Sequence, residues 1–137
     1  MLTDTNRAFQ RKFSGPILDR IELYVPIKKL DTAELMGEKE EESSAIIKSR
    51  VMKARNIQRN RFGSDKLNGH MEQKDMKKYC TISDENKKFM EMVIDKFALT
   101  ARSYDKVLKV SRTIADLAGE DNISKGHLLE AVGFRKQ

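Results

Sequence analysis

Cysteine, tryptophan and long apolar runs are what this chain of 137 residues has least of. The lone Cys80 excludes an internal disulfide framework and fits a reducing cytosol, so a cytoplasmic location is expected. No apolar run approaches the ~18 residues that span a bilayer. The opening residues also lack the apolar core of a signal peptide, so no membrane partner is expected. No G-x-x-x-x-G-K-[ST] stretch occurs to cradle a phosphate. No hydrophobic run ends in acidic magnesium ligands either. His70 and His127 stand 57 positions apart with no Cys/His cluster, so no metal site is expected. Ser43 and Ser44 follow acids and read as helix caps, not as a hydrolase nucleophile. Cys80 has no activating partner in sequence and reads as an inert, buried or half-buried thiol. No small-molecule substrate is evident. Together these absences argue against an independent enzyme.

Charge is abundant: 35% of residues carry it, and the formal net is +6. It is unevenly distributed. Residues 31–42 hold six acids and one Lys, whereas 44–79 hold ten Lys/Arg and three acids. Such asymmetry can mark a polyanion-facing surface. It can equally be a set of solvated helix faces that offset the acidic stretch. Under the first reading Lys48, Arg55 and Arg59 share one helix face and would contact a nucleic-acid backbone. Aromatic interleaving and a recognition-helix motif are absent, so such binding would have little sequence preference.

Periodicity predicts a mainly α protein. Residues 5–13 read as weakly helical, with Phe9 and Phe13 on one face. Ser14-Gly15-Pro16 breaks that segment, and Pro16 opens a helical turn to Arg20. Ile21-Glu22-Leu23-Tyr24-Val25 alternates and reads as a strand that Pro26 ends. A lone strand needs a partner, so residues 1–30 are expected to be loosely held or paired with another chain, and to be the end of a larger unit. Residues 31–42 read as an acidic loop with a helical turn at 31–35.

From Ser43 or Ser44 a helix is expected to about Arg61, its stripe Ile47, Val51, Ala54 and Ile57 or Gln58. Arg50, Lys53 and Arg61 fall on another face of it. A loop over 64–70 and a short helix over 72–79 follow, the latter turning Met76 and Tyr79 inward. Ser83 caps a helix that buries Phe89, Met92 or Val93, and Phe97. Thr100 caps a helix over 101–118 with Tyr104, Val107/Leu108, Ser111, Ile114/Ala115 and Ala118 inside. Arg112 lies nearly opposite that stripe or flanks it, and pairs with Asp116 four residues on. Gly119 stops the helix. Ser124 caps the last one, with Leu128, Leu129 and Val132 inward. The result expected is a small helical bundle over 31–137, preceded over 1–30 by a stub of one strand and a short helix.

Several stretches resemble one family. SGPILDRIELYV at 14–25 is similar to an SGPLLDRIDL-type stretch, and TARSYDKVLKVSRTIADL at 100–117 to an SARAY-ILKVARTIADL helix. Glu42-Ser43-Ser44, Arg50-Val51, Ala54-Arg55, Gln58 and Arg61-Phe62 fit the family's post-linker helix. Leu67-Asn68 and Tyr79-Cys80 match between them. Lys125 to Leu128, Ala131 and Arg135 fit its closing helix. The chain thus resembles the C-terminal part of the magnesium-chelatase-related AAA+ ATPases, the ComM/YifB-like group. Thr100 stands for the family's usual Ser, and Ser111 for its Ala. Met1-Leu2-Thr3-Asp4-Thr5 is unlike the family's approach to its first motif, so the chain reads as a fragment.

The resemblance implies a helical lid following an α/β ATPase core. It places Arg20 at the arginine finger, which reaches the γ-phosphate in a neighbouring ring subunit. It places Arg102 at sensor 2, which links lid to nucleotide. Both roles need a guanidinium to neutralise phosphoryl oxygens. ATP and magnesium are then cofactors of the intact protein and not of this chain. The implied partners are the ATPase core, the neighbouring ring subunits and DNA.

Overall fold

Side-chain hydroxyls open four of the helices, and they do so by chemistry contained within three residues. A computed structural model describes residue 12, residues 15–37 and residues 41–135. Its helices are α1 (Gly15–Asp19), α2 (Thr32–Met36), α3 (Ser44–Phe62), α4 (Gln73–Tyr79), α5 (Asp84–Phe97), α6 (Ala101–Ala118) and α7 (Lys125–Gly133). A 3₁₀ turn, Asn68–His70, links α3 to α4. Ser43, Ser83, Thr100 and Ser124 each accept the backbone N–H three residues on. Each satisfies a donor that the first helical turn leaves free. Gly63 and Gly119 close α3 and α6 at φ 65° and 72°, where a side chain would be strained. Asp31 and Glu34 form a reciprocal capping box, so the turn expected within the acidic stretch becomes α2.

The amphipathic α6 is the central element. Its buried Val107, Leu108 and Ala115 join Met76 and Cys80, Met90 and Val93, and Leu128, Ala131 and Val132 from the helices around it. Met71 and Ile123 fill the ends. Met90, Leu128 and Ala115 are at most 1% exposed, so these positions tolerate little change in volume. Ser111 is equally buried, but its hydroxyl donates to the Val107 carbonyl at 2.6 Å and leaves nothing unpaired.

A polar cluster sits beside this core. The Asp116 carboxylate, which has no exposed surface, accepts both Arg61 Nη1 and Nη2, at 2.8 and 2.5 Å. It also accepts Asn68 Nδ2 at 2.8 Å and Arg112 Nε at 3.2 Å. Asn68 takes Arg61 Nη1 on its own carbonyl and gives its backbone N–H to Gln58 Oε1, both at 2.9 Å. The remaining guanidinium nitrogens of Arg112 donate to the Glu120 and Asp121 carbonyls at 2.7 Å. One carboxylate thereby ties α3, the 3₁₀ turn, α6 and the loop after α6.

The architecture corrects five expectations. No strand forms among the described residues: 21–31 are irregular, because a ladder needs a partner strand and none is there. The segment is nonetheless held. The Tyr24 N–H donates to the Phe134 carbonyl at 2.9 Å, and its hydroxyl to the Leu18 carbonyl at 2.7 Å. In α3 the stripe is buried only from Ala54 onward; Ile47 and Val51 lie on the half of the helix that no described residue buries and are 42% and 43% exposed. Arg61 faces inward instead of outward. In α5 the buried register is Asn86, Met90 and Val93 with Phe97 half-buried, which leaves Met92 exposed and Phe89 at the margin. Ala118 and Leu129 are exposed, each one step off its helix's buried face. The helix expected over 5–13 lies outside the described residues.

Asp116→Ala would leave two guanidinium groups without their buried counter-charge. It is expected to cost about 3–5 kcal/mol in urea unfolding, while Glu130→Ala on the exposed face of α7 stays within ~0.5 kcal/mol. Equal losses from the two would refute a central role for the cluster.

Candidate functional site

The first turn of α6 presents polar donors at the surface of the bundle. Thr100 accepts the Ser103 N–H at 3.1 Å, and the two hydroxyls lie 3.0 Å apart. The cap is therefore intact with Thr in this place. Arg102 follows, exposed, with no hydrogen bond or ion pair among the described residues. A cation here opposes the helix dipole by ~0.3–1 kcal/mol. Nothing described in the chain offsets that cost.

Arg20 lies just past α1, also exposed, and forms no ion pair with Asp19 or Glu22. Its side chain is not brought onto Arg102, but its turn is brought onto Arg102's helix. Lys106 Nζ donates to the carbonyls of Asp19 and Ile21, the residues on either side of Arg20. The contact encloses a cleft of about 90 Å³ with Leu18, Ile21, Val107, Val110 and Ala131 among its walls. Asp19, Glu22, Ser103, Lys106 and Arg135 supply its polar groups. Sites that engulf a small ligand run to about 300–1,000 Å³, so this cleft is too small to hold a nucleotide.

The basic face of α3 is partly committed inside the chain. Arg59 pairs with Asp65 at 2.8 Å, Arg50 with Glu42 at 2.5 Å, and Lys66 with Asp75 at 2.6 Å. Lys74 pairs with Glu72, and the half-buried Arg61 pairs with Asp116. Half of the ten basic residues in 44–79 are thus neutralised. Lys48 and Arg55 remain exposed without an ion pair among the described residues.

Lys106, Arg61 and the burial of Arg112 were not anticipated from sequence, although the pairing of Arg112 with Asp116 was. A signal existed for two of them. Lys106 lies one helical turn from Arg102 on the same face. Continuing the spacing of 47, 51, 54 and 58 leads to 61, which places Arg61 inward.

A wider groove between α4, α5 and α6, of about 400 Å³, is floored by Met76, Cys80, Ile82 and Leu108. Cys80 is 4% exposed, and burial pushes its thiol up to about 11. At pH 8 only about one thiol in a thousand would be ionised. The folded chain should resist a thiol reagent at that pH while the urea-unfolded chain reacts fully. Rapid modification of folded protein would contradict the inert assignment.

Comparison with known proteins places the chain. Residues 41–135 match the family described as "Magnesium chelatase, subunit ChlI C-terminal". The chain is 38% identical over 128 residues to Competence protein ComM of Haemophilus influenzae, covering 93% of the chain and 25% of that protein. It is 36% identical to Uncharacterized protein YifB of Salmonella typhimurium and 35% to that of Escherichia coli, at the same coverage. The chain spans about a quarter of the length of these curated relatives.

Proposed function

Because this chain belongs to the magnesium chelatase ChlI C-terminal family, we propose that it is the helical lid of a magnesium-chelatase-like AAA+ ATPase. Residues 31–137 form the lid, and 1–30 are the end of the α/β core. Arg102 is the sensor-2 arginine that reports the lid's own nucleotide. Arg20 is the arginine finger offered to the nucleotide of a neighbouring ring subunit. ATP and magnesium are held by a nucleotide-binding core outside these residues, so this chain has no turnover of its own. The intact machine is a DNA-linked motor, a reading that the similarity to a competence protein supports.

The observation that carries this reading is the placement of Arg102. Its helix is fixed at the far end by the Asp116 cluster, and its guanidinium stands free of the described residues at the other. A planar, permanently charged donor fork in that position suits a phosphate supplied from outside. Neutralising charge on a transferring phosphoryl group is the main help a protein gives that reaction. The alternative, a free-standing basic module for nucleic acid through Lys48, Arg55 and Arg59, is weakened by the Arg59–Asp65 pair.

The test is a chimera in which this chain replaces the matching quarter of the Haemophilus influenzae ComM relative. Arg102→Ala is expected to lower ATP turnover roughly ten- to hundred-fold, the worth of a lost hydrogen bond to a charged group. Arg20→Ala is expected to cost ~10³-fold, and only in assembled rings. Both variants should unfold at the same urea concentration as the parent. A chimera without turnover, or one indifferent to Arg102, would remove the reading. Duplex DNA binding by the isolated chain at low salt, lost steeply as salt rises, would favour the basic module instead.

A further inference from the structure

We propose that Lys106 is a positioning residue: it clasps the turn that carries Arg20 to the helix that carries Arg102, so that the two arginines move together. This rests on the sensor and finger roles proposed above for those two residues.

Lys106 is half-buried on α6, one turn beyond Arg102. The next residue, Val107, is core, so α6 cannot rotate to take the ammonium elsewhere. Its Nζ meets the carbonyls of both residues that flank Arg20. An ammonium has three donors and no preferred plane, which suits two carbonyls converging from one turn. Asp19 and Glu22 offer carboxylates in the same cleft, yet Lys106 forms no ion pair among the described residues. The cation is spent on the main chain, and this fixes backbone position in a way that pairing with a mobile carboxylate would not.

The turn is tied on its other side as well. The Tyr24 N–H is bonded to the Phe134 carbonyl just beyond α7, and the Tyr24 hydroxyl closes the loop on Leu18. Residues 18–24 therefore form a strap fastened to the bundle at both ends, with Arg20 exposed between the fastenings. A shift of α6 produced by nucleotide at Arg102 is passed to the Arg20 turn through Lys106. The own-nucleotide sensor and the group offered to the next subunit are joined within one chain.

The test has two arms. In the isolated chain, Lys106→Met should speed amide exchange at Tyr24 by about tenfold and shift the Arg20 and Ile21 resonances. Exchange at Leu128 reports global unfolding separately and should not change. Lys106→Arg, which keeps donors for both carbonyls, should restore slow exchange. Unchanged exchange at Tyr24 in Lys106→Met would overturn the clasp. In the chimera, Lys106→Met should lower kcat with little change in KM for ATP, and should add little to Arg20→Ala when the two are combined. If Arg20→Ala lowers turnover and Lys106→Met does not, the coupling is overturned while the finger role stands. If Arg20→Ala is itself without effect, the finger reading fails, and the exchange arm still decides the clasp.

Discussion

A single carboxylate, Asp116, holds two guanidinium groups and an amide largely out of water, and the helices are arranged around it. Burying such a cluster carries a desolvation cost that apolar side chains of equal volume would avoid. What it supplies is registry. The fork of Arg61 meets both oxygens of Asp116 in only one axial setting of α3 against α6. Arg112 extends the same constraint to the loop that leads into α7, through the carbonyls of Glu120 and Asp121. The Phe62 and Tyr79 ring centroids each stand 5.9 Å from the Arg61 guanidinium. Nowhere among the described residues is a buried side-chain polar atom left without a partner.

This anchoring divides the molecule. From Ala54 to Val132 the chain has a core, and before Ala54 no described residue is buried. Ile47 and Val51 continue the packed stripe of α3 into solvent, and α1 and α2 are too short to cover them. The strap over 18–24 is attached by main-chain carbonyls instead of by apolar burial. Hydrogen-bonded but thinly packed segments of this kind open at lower free energy than a core helix.

Helix ends were legible in the residues because their causes are local. Ser43, Ser83, Thr100 and Ser124 cap within three residues, and Gly63 and Gly119 terminate by needing no Cβ. The inner face of α6 was legible at Val107, Leu108, Ser111 and Ala115, since a long amphipathic helix repeats its signal. The shorter α5 and α7 left the phase open by one residue, which is why Met92 and Leu129 fell on the wrong side. The alternation of Ile21 to Val25 suggested a strand because period two records preference for a sheet, while its existence depends on a neighbour. Arg20 and Arg102 are both exposed, but the attachment of their two segments through Lys106 left no trace in the local pattern.

By itself, then, the amino-acid order determined the approximate limits of the seven described helices, the inner face of α6 and the family. Each of these depends on hydrogen bonds and apolar repeats spanning three to seven positions. Only the tertiary structure decided which charges lie inside and which segments are fastened together. Arg61 turns inward, half-buried, because a carboxylate 55 residues away waits for it. Lys106 turns to the backbone 85 and 87 residues earlier. Coulombic and hydrogen-bond partners so remote in sequence are chosen by packing, and no local pattern encodes them.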